Sequence, residues 1–286
     1  MIKAGTATLM ALLFLAAFVM AASASETARQ ILDRAKELDD GARWWNDRYQ
    51  RMNLTVEEGA SARHLELETY DRKQHGRKHQ SLIVFLTPAE KGGIALLGHT
   101  EGGKPASQWL YTPETRRVRQ IAKAGRLNRF DITDFTYHDL DVLTDMPDWT
   151  EDEASSNLRD SETIDGVTCH VIELEPRLEH VVYGRVLLWL GRDDLVARQV
   201  EFYKRPEPRG FFGWFFGSGD DDAKQPVRRF RQKDIRNVDL IPVAHRIEVE
   251  TPAEHTRTTI DVVEAHFNRG LTDAFFSPGS LGTRTK

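Results

Sequence analysis

The strongest constraint on the fold is a two-residue alternation of apolar and polar side chains that recurs after residue 49. It is clear in Leu65-Glu66-Leu67-Glu68 and in residues 246–250, whereas residues 81–86 and 181–190 are more continuously apolar. Such segments predict strands with one or both faces in a core. Turn-forming residues interrupt the pattern at Gly92-Gly93, Gly102-Gly103, Thr112-Pro113, residues 191–194 and Thr251-Pro252. The sequence therefore predicts a mainly β fold of the α+β class, with about ten strands in a large antiparallel sheet.

One amphipathic helix is predicted ahead of the strands, over residues 27–40. Its apolar side chains recur at intervals of three and four, and Gly41 offers a stop. These side chains are Ile31, Leu32, Ala35 and Leu38. Trp44 and Trp45 follow directly, and we interpret them as residues that pack the helix on the sheet.

Residues 1–24 have the pattern of a secretory signal peptide. Lys3 precedes an apolar run over residues 9–20, and Ala22-Ser23-Ala24 has the small residues that signal peptidases cleave after. The run is too short to span a bilayer comfortably, and no cysteine directly follows it to accept a lipid anchor. We therefore expect export, cleavage after about Ala24, and a single domain over residues 25–286.

Charge and cysteine content argue against a nucleic-acid-binding protein and against a fold held by disulfides. The formal net charge of −5 argues against a general nucleic-acid binder. Cys169 is the sole cysteine, so no intrachain disulfide can form. Because it lies in an alternating apolar stretch, residues 166–171, we expect a small buried side chain and not a reactive thiol.

The alternation fades between residues 121 and 160, and this charged, irregular segment is expected to lie across the sheet. A block of cations free of acids precedes and enters it: Arg116, Arg117, Arg119, Lys123, Arg126 and Arg129. The acids that follow are Asp131, Asp134, Asp139, Asp141, Asp145, Asp148, Glu151, Asp152 and Glu153. Either the two blocks neutralise each other on a solvated face, or the cations dock an anionic headgroup or an oppositely charged partner.

An aromatic run interrupts this hydrophilic chain at residues 208–222, PRGFFGWFFGSGDDD. Its rings are Phe211, Phe212, Trp214, Phe215 and Phe216. Together they could hide about 1,000 Å², more than a soluble monomer usually exposes in one patch. Three covers are open: the protein's own core, a lipid surface or a partner. Since residues 220–222 are aspartates that must stay in water, we expect a lid, or a finger that enters a membrane or a transporter groove.

Catalytic and metal-binding signatures are missing from the sequence. His75 and His79 are four apart but lie in a polar turn, which makes a poor metal site. HExxH, CxxC, G-x-S-x-G and G-x-x-x-x-G-K-[ST] do not occur, so no cofactor or metal is expected. Paired carboxylates of the glycosidase type leave no local signature, and an unrecognised hydrolase stays open as an alternative.

Several stretches together resemble the LolA-like family of periplasmic carriers that sort outer-membrane lipoproteins. They are LYTPETRRVRQI (residues 110–121), DFTYHDL (134–140), GVTCHVIEL (166–174), NVDLIPVAHRIEVE (237–250) and DAFFSPGSL (273–281). The resemblance implies a sheet curled into an incomplete barrel, closed by the N-terminal helix and a covering segment, with an apolar cavity for acyl chains. It also implies a periplasmic location.

The same resemblance implies a lipid or lipoprotein carrier that needs no covalent chemistry. Phe130, Phe135, Tyr137 and Leu140 would belong to the covering segment, and the aromatic run to the mouth of the cavity. Expected partners are acyl chains, an inner-membrane transporter and, transiently, a membrane. The basic stretch would face a headgroup or the transporter, although the long aromatic insertion departs from the best-known carriers. An interaction module that binds an exporter and carries nothing is the alternative from a different class.

Overall fold

The computed structural model describes residues 26–205 and 225–282, which contain two α-helices and thirteen strands. The helices are α1 (Ala28–Asp40) and α2 (Tyr137–Asp145). The first six strands are β1 (Asp47–Glu58), β2 (Ser61–Gln74), β3 (Lys78–Thr87), β4 (Ala95–Glu101), β5 (Ser107–Thr112) and β6 (Arg117–Gln120). The others are β7 (Ala154–Ile164), β8 (Val167–Pro176), β9 (Tyr183–Gly191), β10 (Ala197–Lys204), β11 (Arg228–Val238), β12 (Ile241–Thr251) and β13 (Thr256–Phe267). Short 3-10 helices occur at Lys123–Gly125, Met146–Asp148, Pro252–Glu254, Asp273–Phe276 and Pro278–Ser280.

Helix α1 confirms the helix predicted at the N-terminus. The Thr27 hydroxyl accepts a hydrogen bond from the Gln30 backbone N–H at 3.3 Å, and the Gln30 side chain accepts one from the Thr27 N–H at 2.9 Å. This reciprocal capping box satisfies two backbone donors of the first turn. A Cβ at Gly41 would lie 2.8 Å from the Glu37 carbonyl oxygen, so a residue without a side chain suits the helix end. Among the described residues, no helix combines the length and apolarity needed to cross a membrane.

All thirteen strands form one antiparallel sheet, in the order β6-β5-β4-β3-β2-β1-β13-β12-β11-β10-β9-β8-β7. The chain begins in the middle of the sheet, runs out hairpin by hairpin to β6, and crosses to the opposite edge at β7. It then returns to β13, which pairs with β1 through registers such as Leu54 with Ile260. Residues 121–153 make this crossing, and we call them the covering segment.

Side chains from distant strands converge in one core on the concave face of the sheet. Phe85 of β3 belongs to the same buried cluster as Val186 of β9 and Phe202 of β10. The first turn of α2 contacts both Gln108 of β5 and Tyr183 of β9, which lie near opposite ends of the sheet order, so the sheet must curve strongly. Ile31 of α1 enters the cluster with no exposed surface. Since β6 and β7 do not pair, the barrel stays incomplete, as the resemblance implied.

The convex face carries a second cluster, built by the C-terminal segment. Phe276 and Leu281 pack with Leu82, Leu97 and Tyr111 and are almost fully buried. This packing explains the apolar side chains of DAFFSPGSL. Cys169 lies in a third, smaller cluster with Val171 and Trp189, where burial raises the pKa of its thiol. The prediction of a buried cysteine is confirmed.

The sequence-based boundaries were wrong at both edges of the sheet. About ten strands were expected, and the described residues form thirteen. Strand β7 begins at Ala154, inside the segment predicted to be irregular as far as residue 160, and β6 lies in the basic block. Both are edge strands whose side chains are mostly exposed, so neither shows the alternation that a half-buried strand requires.

Candidate functional site

The covering segment closes part of the concave face through a tight turn that precedes α2. The Phe130 N–H donates a hydrogen bond to the Phe135 carbonyl at 2.7 Å, and Arg129 bridges Thr136. The Phe130 ring lies 5.4 Å from the ring of Phe85 on β3 and 5.7 Å from the ring of Tyr137, measured between centroids. The turn thus aims aromatic side chains at the core.

The structure brings the four residues predicted for the covering segment together. Phe130, Phe135 and Tyr137 are buried in the concave core, and Leu140 packs on it while partly exposed. In this closed arrangement three of them act as core residues. A role for them in binding lipid stays a prediction.

A buried aspartate pins the covering segment to the β12–β13 hairpin. The side chain of Asp134 is almost fully buried and accepts hydrogen bonds from the hydroxyls of Thr251 (2.8 Å), Thr256 and Thr258 (2.7 Å). Its backbone N–H also donates to the Thr258 hydroxyl at 2.9 Å. Both carboxylate oxygens therefore accept hydrogen bonds, which compensates the burial of the group.

A second buried aspartate attaches α2 to β9 and β11, in the half of the sheet that ends at β7. Asp139 is fully buried, accepts from the Thr136 N–H at 2.6 Å as half of the α2 capping box, and accepts from the Tyr183 hydroxyl. The Arg228 Nε of β11 lies 3.6 Å from its carboxylate. Burial raises the pKa of Asp139, while Thr136, Tyr183 and Arg228 oppose that rise.

Two further carboxylates on α2 face the other half of the sheet, which ends at β6. Asp141 accepts from the Gln108 side chain of β5 at 2.7 Å, and burial raises its pKa to about 7. Asp145 accepts from the Trp149 indole at 2.9 Å and lies 3.5 Å from Arg77 in the β2–β3 turn. Helix α2 is therefore attached to both halves of the sheet by acidic side chains.

Helix α1 joins the same assembly near the end of the covering segment. Lys36 forms an ion pair with Asp148, and the His79 Nε2 lies 3.3 Å from that carboxylate. Burial alone would raise the pKa of Asp148, but hydrogen bonds from His79 and Lys36 hold it well below its usual range. His75 stacks on Trp44 with 4.9 Å between ring centroids. Neither histidine belongs to a metal-binding group, and the described residues contain no such group.

The interpretation that the two charged blocks neutralise each other holds for only part of the chain. Arg126 lies 4.0 Å from Asp141, and Arg129 pairs with Glu254. The solvated-face interpretation is wrong for Asp134 and Asp139, which are buried. By contrast, Arg116, Arg117 and Arg119 are exposed and form no ion pair with any described residue. Their docking role stays a prediction.

Sequence reasoning missed the buried aspartates because their partners lie far away along the chain. Two local signals exist: both residues fall in DFTYHDL, which was singled out for its resemblance and not for its charge, and Asp139 follows Thr136 at the spacing of a helix capping box. Nothing in that stretch specifies Thr258 or Arg228 as partners.

Two pockets differ from the cavity that the resemblance implied. One, of about 570 Å³, lies between the tips of the β1–β2 and β12–β13 hairpins and has walls of mixed polarity, with Glu57, His255 and Arg257 among the lining residues. The other, of about 10 Å³, lies beside Asp141 and Trp149 and has room for about one water molecule. Neither is the predicted apolar cavity, which stays a prediction.

The aromatic run Phe211, Phe212, Trp214, Phe215 and Phe216 lies outside the described residues. The strands on either side of it place an aromatic wall on the concave face. The rings of Tyr183 and Phe202 stack with centroids 4.4 Å apart, and Phe230 lies 5.4 Å from Phe202. A Cβ at Gly184 would lie 2.5 Å from the Cα of Arg205, so a glycine lets the chain leave β10 closely packed.

Apolar side chains at the rim of the concave core remain partly exposed. They are contributed by α1, by the covering segment and by the central strands, and include Leu32, Leu38, Leu140, Leu143, Ile247 and Phe267. Leu140 and Leu143, on the acid-anchored helix α2, are thus partly open to solvent while they pack on the covered core.

Comparison with known proteins matches this architecture. A family model described as "Uncharacterized protein" matches residues 77–208, and no curated protein matches the chain. A DUF1329 family protein from Desulfovibrio piger superposes with a TM-score of 0.74 at 24% identity, covering 89% of this chain and 98% of that one. A putative outer membrane lipoprotein-sorting protein domain from Vibrio parahaemolyticus also has a TM-score of 0.74, at 20% identity, covering 89% and 99%.

A LolA superfamily protein from Nitrosomonas europaea superposes with a TM-score of 0.61 at 18% identity, covering 88% of this chain and 98% of that one. The chain thus has an open antiparallel sheet with a helical cover. This is the fold of the LolA superfamily and of lipoprotein-sorting domains, which confirms the resemblance at the level of fold.

Proposed function

We propose that this protein is an exported periplasmic carrier that shelters the acyl chains of a lipid or lipoprotein on its way to the outer membrane. The observation that carries the proposal is the concave apolar core, which the covering segment closes in part. Apolar side chains at the edge of this core, such as Leu140, stay partly exposed. The fold shared with a lipoprotein-sorting domain supports it. Binding and release require no catalytic residue or cofactor.

The carrier works by exchanging one apolar cover for another. The covering segment buries Phe130, Phe135 and Tyr137 in the closed form. An acyl chain that enters along Leu140 would replace those contacts and gain about 0.8 kcal/mol per buried CH₂. Displacing the covering segment would break the hydrogen bonds of Asp134 and Asp139. The free energy needed to break them is subtracted from the free energy gained by burying the acyl chain. Loading and release then depend on small differences among donor, carrier and acceptor.

Lipid content is the direct test. We expect native mass spectrometry and lipid extraction of the exported protein, purified without detergent, to find a bound acylated molecule. Purified protein should also take up an acylated fluorescent probe. Absence of bound lipid together with absence of probe uptake would contradict the carrier function.

A matched pair of substitutions localises the binding surface. Leu140→Glu puts a carboxylate on the partly exposed face of the covering segment and should weaken probe binding at least about tenfold. Val263→Glu makes the same change at a 56% exposed position of β13 and should leave binding unchanged. Equal effects of the two substitutions would argue against entry beside α2.

The aromatic run forms the mouth of the site in this proposal. Phe212→Ser, Trp214→Ser and Phe215→Ser together should abolish lipid transfer and leave thermal stability nearly unchanged. A collapse of stability would instead identify the run as a plug of the core.

An interaction module for an inner-membrane exporter is the second candidate. It is favoured by the dense concave core, in which Phe85, Phe202 and Val186 have at most 1% exposure. It predicts exporter binding by a protein that never takes up an acylated probe, so the uptake assay separates the two functions.

A further inference from the structure

The edge strand β6 and its flanks carry positive charge that the described residues do not neutralise. Arg117 and Arg119 lie on β6, Arg116 precedes it, and Lys123 begins the 3-10 helix that follows. All four are exposed, and none forms an ion pair with a described residue. Residues 116–129 contain no acid, so the charge is not balanced locally either.

Exposed apolar side chains lie among these cations. Val118 is 40% exposed and Leu127 is 55% exposed, which makes them two of the six large apolar side chains that are exposed in the described residues. Cations mixed with exposed apolar side chains and free of acids are typical of a surface that rests on an anionic bilayer.

The position of β6 favours a flat partner over a strand or a peptide. In the register with β5, Arg119 pairs with Leu110, whose side chain lies on the concave face, and Val118 pairs with Tyr111, whose side chain lies on the convex face. Side chains thus project from both faces of the edge, and a plane that meets the edge contacts both sets. A four-residue, basic edge strand is also a poor template for pairing with another strand.

We propose that the β6 edge, residues 116–127, docks this protein onto the surface of a membrane rich in anionic phospholipids. The four cations bind headgroup phosphates, and Val118 and Leu127 enter the interfacial layer. This docking goes beyond the carrier function because it needs neither cargo nor transfer.

The docking edge is close to the covering segment. Burial raises the pKa of the Tyr137 hydroxyl, and the positive charge of Arg119 opposes that rise, so Arg119 lies within electrostatic reach of the first residue of α2. A docked protein would therefore present the start of α2 near the bilayer.

Vesicle cosedimentation tests the proposal. The protein used is residues 25–286, which retains every described element and omits the apolar run at residues 9–20. Its partition onto phosphatidylcholine vesicles is compared with that onto vesicles containing 30% phosphatidylglycerol, at about 0.1 M and 0.5 M salt. The test variant is Arg117→Gln, Arg119→Gln and Lys123→Gln, which leaves Arg116 with its positive φ unchanged.

The control variant also loses three positive charges, but at other exposed positions: Arg63→Gln, Arg192→Gln and Arg236→Gln. Each interfacial cation is worth about a fivefold change in partition, so the test variant should lose on the order of 100-fold on anionic vesicles. The control should keep most of the binding, and high salt should weaken the wild type. Circular dichroism checks that both variants are folded.

Binding to anionic vesicles that the test variant alone loses supports the proposal, whether or not an acylated probe is taken up. The absence of any preference for anionic vesicles would overturn it. Equal loss in the two variants would overturn it in favour of general electrostatic attraction. Binding only to neutral vesicles, unchanged in the test variant, would assign membrane contact to another part of the chain.

Discussion

The attachment of α2 through Asp139 gives the sharpest prediction about stability. Its carboxylate has no exposed surface, accepts from the Thr136 N–H and the Tyr183 hydroxyl, and lies 3.6 Å from the Arg228 Nε. Asp139→Ala would leave the Arg228 side chain, 13% exposed, without this counter-charge. Removing one partner of a buried pair costs about 3–5 kcal/mol, and half of a capping box about 1 kcal/mol.

Because these costs overlap, we expect Asp139→Ala to lower the free energy of unfolding by about 4 kcal/mol. That is a large part of the about 5–15 kcal/mol by which a typical protein is stable. At about 2–4 °C per kcal/mol for a large domain, the melting temperature should fall by roughly 10 °C. Urea denaturation followed by circular dichroism measures both the midpoint and the slope.

A double-mutant cycle with Arg228→Met isolates the ionic contact. The double variant buries neither charge, so its destabilisation should be less than the sum of the single effects by about 2 kcal/mol. Asp261→Ala, which breaks an exposed pair with Arg246, is the control and should cost less than about 1 kcal/mol. A cost below 1 kcal/mol for Asp139→Ala, or a coupling near zero, would refute this account of how α2 is held.

Three further predictions test the buried network and the convex cluster. Burial raises the pKa of Asp141 from 3.8 to about 7, so ionisation of this carboxyl lowers the free energy of unfolding as pH rises from about 4 to 7. Asp141→Asn should therefore flatten the pH dependence of the urea midpoint between about pH 4 and 7. An unchanged pH profile would contradict this prediction. Asp134→Ala should cost about 2–4 kcal/mol, because three threonine hydroxyls lose their acceptor, and more than Thr256→Val, which removes one donor. Phe276→Ala should cost about 3–5 kcal/mol in the same assay, since its ring is fully buried; a cost near zero would mean that the C-terminal segment is not docked in solution.

Local patterns predicted the elements whose residues contact their own neighbours or a single core. The apolar stripe of α1 and the glycine at position 41 specify one core-facing side and a helix end, and both are found. The apolar alternation around Cys169 specifies its burial, which is complete. The edge strands β6 and β7 escaped prediction because exposed strands have no buried face to pattern.

The sequence by itself determined the antiparallel sheet, the N-terminal helix and the start of the segment that crosses the sheet, because each depends on periodicity, or on its loss, within about a dozen residues. Only the tertiary structure decided which acids of the covering segment are buried. Asp139 meets Tyr183 across 44 positions and Asp134 meets Thr258 across 124, and no short pattern encodes such separations. Burying a carboxylate is unfavourable unless hydrogen-bond donors surround it. Here the hydroxyl donors belong to distant strands, which come close to the carboxylates only when the sheet curves around the covering segment.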